Sequence, residues 1–296
     1  MTRRSLVAAG LAAPALAAMG RRPSRASVDL FDPEGGHRAN VKLRGSLGNE
    51  WVWRHYWGET YAALPGEPPT PLFKFEGAIK TQWTDNGDGT HTELLYDMSG
   101  NVDWDTGELL TRFENPITGK TNDVMHTWDG PNRTTYSKFG PIYPWTNERP
   151  TEPVVLPWKI VGDSVWLTDR GNFERPHPLD PEEWPLASSG KTTISMINVT
   201  LSGLLADIED DSRLSVPHNM TWTTMRSWLP WLLLGQRPGL MLTIGKGRKL
   251  QGPEALPPSM RDIIDALQPN FISDDAPWTE ATNSWTRYMN ERQPAR

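Results

Sequence analysis

The sequence contains no cysteine. Disulfides, thiolate metal sites and cysteine nucleophiles are therefore excluded. Long apolar runs are missing from the body of the chain. The most apolar stretch, Trp228–Leu234, includes Pro230 and is far shorter than the ~20 residues a membrane-spanning helix needs. Positive charge is not in excess: 30 Lys and Arg stand against 36 Asp and Glu, a net charge of −6. That balance argues against a nucleic-acid groove, which requires a basic stripe. Familiar catalytic signatures are absent too. There is no Gly-x-Ser-x-Gly elbow, no His-Glu-x-x-His zinc motif and no Gly-x-Gly-x-x-Gly dinucleotide loop. Thr118-Gly119-Lys120-Thr121 and Ser189-Gly190-Lys191-Thr192 end like phosphate loops. Glu114 and Pro185 occupy the places of the leading glycine, and both segments read as turns.

What is abundant is Pro (27), Gly (25) and Trp (15) in 296 residues. Pro and Gly at this level disfavour a helical bundle. Tryptophans spread from Trp51 to Trp285 imply burial of large aromatic surface, about 150–250 Å² per ring. The composition is that of a soluble, Trp-rich, mainly β protein.

The N-terminus reads as an address. Arg3-Arg4 precede an apolar stretch from Leu6 to Met19, and Ala15-Leu16-Ala17 supplies a small-x-small cleavage site. The paired arginines point to twin-arginine export, with the export machinery as a partner and the periplasm as destination. The expected organisation is a signal peptide over 1–17, a flexible leader over 18–27, and one β domain over 28–296.

Strand signals recur through that domain. Ile79–Thr84 and His91–Ser99 flank the turn signal Asp85-Asn86-Gly87-Asp88-Gly89, which predicts a hairpin. Leu109–Glu114 and Asn122–Trp128 are predicted as a second pair. Thr134–Phe139, Val154–Val161, Ser164–Thr168, Thr192–Leu201 and Asn219–Ser227 continue the series. Gly239–Gly245 and Arg248–Leu250 read as a last hairpin, and two helices are predicted over Pro258–Leu267 and Thr279–Arg292. About ten short antiparallel strands imply an antiparallel β-barrel, lipocalin-like in outline, with a few C-terminal helices.

Several blocks carry a family resemblance. They are Asp103-x-Asp105-Thr106-Gly107-Glu108-Leu109-Leu110, Asn115-Pro116-x-Thr118-Gly119-Lys120 and Val124-x-His126-x-Trp128-Asp129. Towards the C-terminus come Ser227-Trp228-Leu229-Pro230-Trp231, Leu234-Gly235, Pro238-Gly239, Leu256-Pro257 and Asn283-Ser284-Trp285-Thr286. In order and spacing these resemble the domain of unknown function 1838 family. After the histidine that family tends to carry Asn-Asp-Pro, where this chain has Asp129-Gly130-Pro131-Asn132. Many members look exported by twin-arginine signals, in keeping with Arg3-Arg4. The resemblance implies no activity.

Strand parity supplies the candidate site. If Asn122–Trp128 is one strand, Val124, His126 and Trp128 share a face. An imidazole buried there would stay neutral and serve as a general base. On Asn219–Trp228 the residues Met220, Trp222, Thr224, Arg226 and Trp228 share a face, placing Arg226 between two indoles where it would steady an oxyanion. Arg112 is a second candidate cation, on a face with Leu110 and Glu114. The candidate catalytic residues are thus His126, Arg226 and Arg112; Trp128, Trp222, Trp228, Tyr96 and His218 are candidates for substrate binding. Tyr56 and Tyr61 are further possible phenol donors. His91 and Glu93 share a strand face but make only two ligands, so no metal and no cofactor are expected. Two function classes remain open. One is a cofactor-independent enzyme of isomerase, dehydratase or lyase type acting on a small apolar aromatic or terpenoid-like compound. The other is a non-catalytic periplasmic protein that binds a lipophilic ligand, without nucleic acid and without stable membrane insertion.

Overall fold

The computed structural model describes residues 28–143 and 151–294; the expected signal peptide and leader lie outside them. Twelve strands form: β1 (Trp51–Ala63), β2 (Thr70–Asp85), β3 (His91–Val102), β4 (Arg112–Glu114), β5 (Thr121–Asp123), β6 (Thr127–Ser137), β7 (Gly140–Ile142), β8 (Trp158–Val161), β9 (Ser164–Pro176), β10 (Thr192–Leu204), β11 (Asn219–Arg226) and β12 (Leu240–Leu250). Ten of them build one antiparallel sheet in the order β7-β6-β3-β2-β1-β12-β11-β10-β9-β8, while β4 and β5 pair separately. The large sheet curls into a half-barrel. The mainly β, barrel-like expectation holds, but the curl stops short of a closed ring. Its end strands β7 and β8 are three and four residues long and cover only Thr135–Ser137 of β6 and Ser164–Leu167 of β9.

Local chemistry explains the elements. In the β2–β3 turn the Asp85 carboxylate accepts from the Gly87 N–H at 2.8 Å and the Asp88 carboxylate accepts from the Thr90 N–H at 3.0 Å. These are side-chain turns of the kind Asp favours. Helix α1 (Pro33–Arg44) was not predicted, because Gly35-Gly36 masks its period. Its start signals are nonetheless present: Asp32 caps the N–H groups of Glu34 and Gly35, and Pro33 occupies the first turn. Lys249 Nζ donates to the carbonyls of Lys42 and Gly45 at its far end, placing a cation on the negative end of the helix dipole. A short helix α2 (Leu205–Ile208) follows β10, helix α3 (Pro258–Leu267) forms as predicted, and α4 (Ser284–Glu291) occupies the centre of the second predicted helix.

Leu109–Glu114 is a strand only from Arg112, and three further strand predictions are corrected. The first is Asn122–Trp128: β5 ends at Asp123, β6 begins at Thr127, and 124–126 cross between them outside any strand. The second is Val154–Val161, which is a strand only from Trp158. The third is the last hairpin, which is the single strand β12. The chain does not turn at Lys246-Gly247, and within the strand a Cβ on Gly245 would lie 2.2 Å from the indole of Trp222, so that glycine makes room for the ring.

The sheet has two differently covered faces. On the concave side, one apolar cluster joins Ala39 and Leu43 of α1 to Tyr56, Phe75, Leu201 and Met220. A second joins Phe73, Phe113 and Met125 to the Trp228–Leu234 turn. On the outer side, Met260, Ile263 and Ile264 of α3, with Phe271, cover Trp53, Ala78, Tyr96 and Met98. No described helix is long and apolar enough to cross a membrane.

Candidate active site

Between the two concave clusters lies a cavity of about 390 Å³. That is within the size range of small-molecule pockets. Its apolar wall comes from Phe73, Phe75, Ile79, Ile197, Val199, Met220, Trp222 and Leu229, and its polar lining includes Tyr56, Asp97, Asp129, Arg226 and Thr243. Strand alternation delivers these groups. Tyr56 and Thr60 are even positions of β1, Asp97 and Ser99 odd positions of β3, and Trp222, Thr224 and Arg226 even positions of β11. Close approach is permitted by glycine. A Cβ on Gly77 would lie 2.4 Å from the Tyr56 hydroxyl, so only glycine leaves that ring its place over β2.

The polar groups form a constellation. Asp97 on β3 and Asp129 on β6 are directly opposite in the register, and side chains so paired stand about 4.5–5.5 Å apart at Cβ. The Tyr56 hydroxyl donates to Asp97 Oδ1 at 2.5 Å and also lies 3.2 Å from the Met98 carbonyl. Asn132 Nδ2 donates to Asp129 Oδ1 at 2.9 Å. Burial, assisted by the charge of Asp129, pushes the Asp97 carboxyl up to about 7. Burial raises Asp129 as well, against the hydrogen bond from Asn132 and the Arg226 charge. Burial, then Asp97, lifts the Tyr56 phenol well above its ordinary value. Burial lowers Arg226, opposed by the charges of Asp129, Tyr56 and Asp97. The Nε of Arg226 and the hydroxyl of Thr243 are buried without a hydrogen-bond partner. Trp222 meets Tyr56 edge-on with ring centres 5.4 Å apart and lies 6.0 Å from Phe75, which fixes the aromatic wall. A carboxyl titrating near neutrality, beside a second carboxyl and a cation, is equipped to take up and return a proton.

Only part of the predicted set meets here. Arg226 and Trp222 line the cavity as strand parity required, and Tyr56 joins them. His126 does not line it. The backbone leaves the strand at 124–126, so the parity rule does not apply. Its buried Nδ1 accepts from the Asn101 N–H at 3.1 Å, and its carbonyl accepts from Arg287 at 2.8 Å. Burial, then the Arg287 charge, pushes it down to about 4. Trp128 faces the outer side under the Arg287 guanidinium, 3.1 Å from the ring centre. Tyr96 falls at a register shift in β3 and packs outward against Trp278. Trp228 lies beyond the end of β11, buried in the apolar turn with its Nε1 donating to the Arg237 carbonyl. His218 is buried 2.7 Å from the Leu43 carbonyl, Arg112 is exposed on β4, and Tyr61 donates to Glu59. His91 faces His37 of α1 with ring centres 5.8 Å apart, and Glu93 is paired with Arg54 at 2.9 Å. Among the described residues no three His, Asp or Glu side chains gather as metal ligands do.

Asp97 and Asp129 were missed as site residues. Asp97 lies on the predicted strand His91–Ser99, but Glu93, Ser99 and Asn101 share its parity, and Asp129 falls just beyond the predicted Asn122–Trp128, so no local pattern singled out either residue. Their pairing is a property of the β3–β6 register. A family model described as a protein of unknown function (DUF1838) matches residues 49–292. No curated protein matches the chain.

Proposed function

The chain belongs to the DUF1838 family, and since that membership carries no activity we propose, from the cavity itself, a cofactor-independent acid–base enzyme of isomerase, dehydratase or lyase type. Its substrate is a small, largely apolar aromatic or terpenoid-like compound. The observation that carries this reading is the Asp97–Asp129 pair, with the Tyr56 hydroxyl on Asp97, in a cavity walled by Trp222, Phe75 and aliphatic side chains. One carboxylate removes a proton from the substrate, and the partner carboxyl returns a proton to a second atom. Neither step needs an external oxidant or reductant. His126, whose ring accepts from the Asn101 N–H while its carbonyl accepts from Arg287, serves in this reading as a support for the Asn101 strand.

Deuterium incorporation from D₂O into a panel of cyclic and terpenoid ketones, without added cofactor, tests the catalytic reading. Asp97→Asn is expected to lower it at least about a hundredfold. Binding of panel members with no incorporation into any of them would replace the enzyme by a binding protein for lipophilic ligands.

Export to the periplasm by the twin-arginine machinery belongs to the same proposal. It is supported by Arg3-Arg4 ahead of the Leu6–Met19 stretch and the Ala15-x-Ala17 site. Replacing both arginines by lysine is expected to leave the precursor in the cytoplasm; unchanged export would refute it.

A further inference from the structure

We infer that the ligand of this cavity presents an oxygen that is negatively charged on the protein, a phenolate or the enolate of a carbonyl compound carried on a flat apolar body, and that Arg226 receives it. This assignment presupposes that the cavity is the functional site, and it adds the class of molecule and the anchoring residue.

The two acids in the cavity already have neutral hydrogen-bond partners. Tyr56 occupies Asp97 Oδ1, and Asn132 occupies Asp129 Oδ1. The cation does not. Arg226 Nε is buried and unpartnered, and so is the Thr243 hydroxyl on β12, which lines the same cavity. The two residues stand on neighbouring strands, with Arg226 opposite Met241 and Thr224 opposite Thr243. A buried charged donor without an acceptor is costly, and proteins seldom retain one. A guanidinium and a hydroxyl on adjacent strands, lining one cavity, suit a single oxyanion, and charge-assisted bonds of that kind are the strong ones. The surroundings set the rest of the ligand. Trp222, Phe75, Ile197, Val199 and Met220 offer a flat apolar surface, and a cavity of about 390 Å³ admits one or two rings.

The chemistry closes without a further reactant. A carboxylate of the Asp97–Asp129 pair accepts a proton from a carbon next to the carbonyl. The C–H electron pair becomes the new C=C bond, and the carbonyl π electrons move to oxygen, which becomes the enolate at Arg226. Where the substrate carries a C=C bond beyond that carbon the anion is a dienolate; return of the proton to its far carbon moves the C=C bond next to the carbonyl, re-forms the C=O bond and leaves an isomer. Phenolates copy the enolate in shape and charge and do not react.

The test uses the full purified chain with 4-nitrophenol and its neutral methyl ether, 4-nitroanisole, in equilibrium dialysis at a pH where the free phenol is half ionised. The phenol is expected to bind as phenolate, about tenfold to a hundredfold tighter than the ether. Arg226→Met is expected to erase that preference, and Arg226→Lys, which retains the charge, to keep part of it. Equal binding of the two probes by the parent protein, or a preference that survives in Arg226→Met, would overturn the anion assignment and leave the cavity reading standing. Failure of both probes to bind would overturn the two together.

Discussion

Two cations lie on opposite faces of the same sheet, Lys80 buried and Arg226 half-buried, and their surroundings differ in kind. Lys80, on the outer face of β2, is 2% exposed. Its Nζ lies 4.9 Å from the ring centre of Trp51, 5.6 Å from Trp53, 5.7 Å from Tyr96 and 5.5 Å from Phe271. It also donates to the Asp274 carbonyl. Burial lowers its pKa to about 8, yet four π-faces and a carbonyl meet the ammonium from all sides. Arg226, on the concave face of β11, is half-buried as a residue, but its Nε is buried and unpartnered beside a cavity. A cation whose donors are matched by the protein fastens one part of the fold to another; here Lys80 holds the segment around Phe271 and Asp274 against the sheet. A cation whose donors are unmatched, facing a cavity with opposing acids, is arranged for something that is not protein.

That contrast breaks most readily through stability. Lys80→Ala removes the stem and the ammonium from under four rings, and should lower the unfolding free energy by about 3 kcal/mol in urea titrations. Arg226→Met, which exchanges an incompletely paired buried charge for an apolar chain of similar length, should be neutral or slightly stabilising. Equal losses in the two variants would mean that both cations are structural.

A smaller effect sharpens the electrostatics of the cavity. The Asp97 carboxyl is held near 7 in the folded chain against about 3.9 when unfolded. Between those values the folded state binds the extra proton, so this group's contribution to stability falls as pH rises through the window. His37 and His126, held near 4, act in the opposite direction. The unfolded state takes up their protons first, and stability is lost as pH falls from about 6.5 towards 4. Thermal unfolding across pH 4–8 is expected to pass through a maximum. Asp97→Asn should flatten its alkaline side and His126→Gln its acid side. At neutral pH His126→Gln should cost no more than about 1 kcal/mol, since the amide oxygen still accepts from Asn101. An alkaline side that keeps its slope in Asp97→Asn would place the titrating group elsewhere.

Much of the fold was legible. The Asp- and Gly-rich turn marked the β2–β3 hairpin, Thr and β-branched residues marked β10 and β11, and Pro257-Pro258 marked the start of α3. Parity on β11 brought Arg226 and Trp222 to one face, because that strand runs unbroken from Asn219 to Arg226. The same rule failed for His126, where three residues between β5 and β6 depart from strand geometry. Glycine misled twice. Gly35-Gly36 hid α1, and the turn expected at Lys246-Gly247 is absent, since β12 runs on from Leu240 to Leu250.

The sequence by itself determined the mainly β character of this protein, because Thr, Trp and β-branched residues at strand spacing, broken by Asp-Gly turns, admit little else. It also determined that Arg226 and Trp222 point the same way, since that relation is local and has a period of two. Only the tertiary structure decided that Asp97 stands opposite Asp129, that Tyr56 reaches Asp97, and that Arg226 shares their cavity while Tyr96 and Trp128 face away. Those relations depend on strand order, on the register shift in β3 and on the curl of the sheet. Each is set by packing between segments distant in sequence, and no local pattern encodes which strand becomes the neighbour of which.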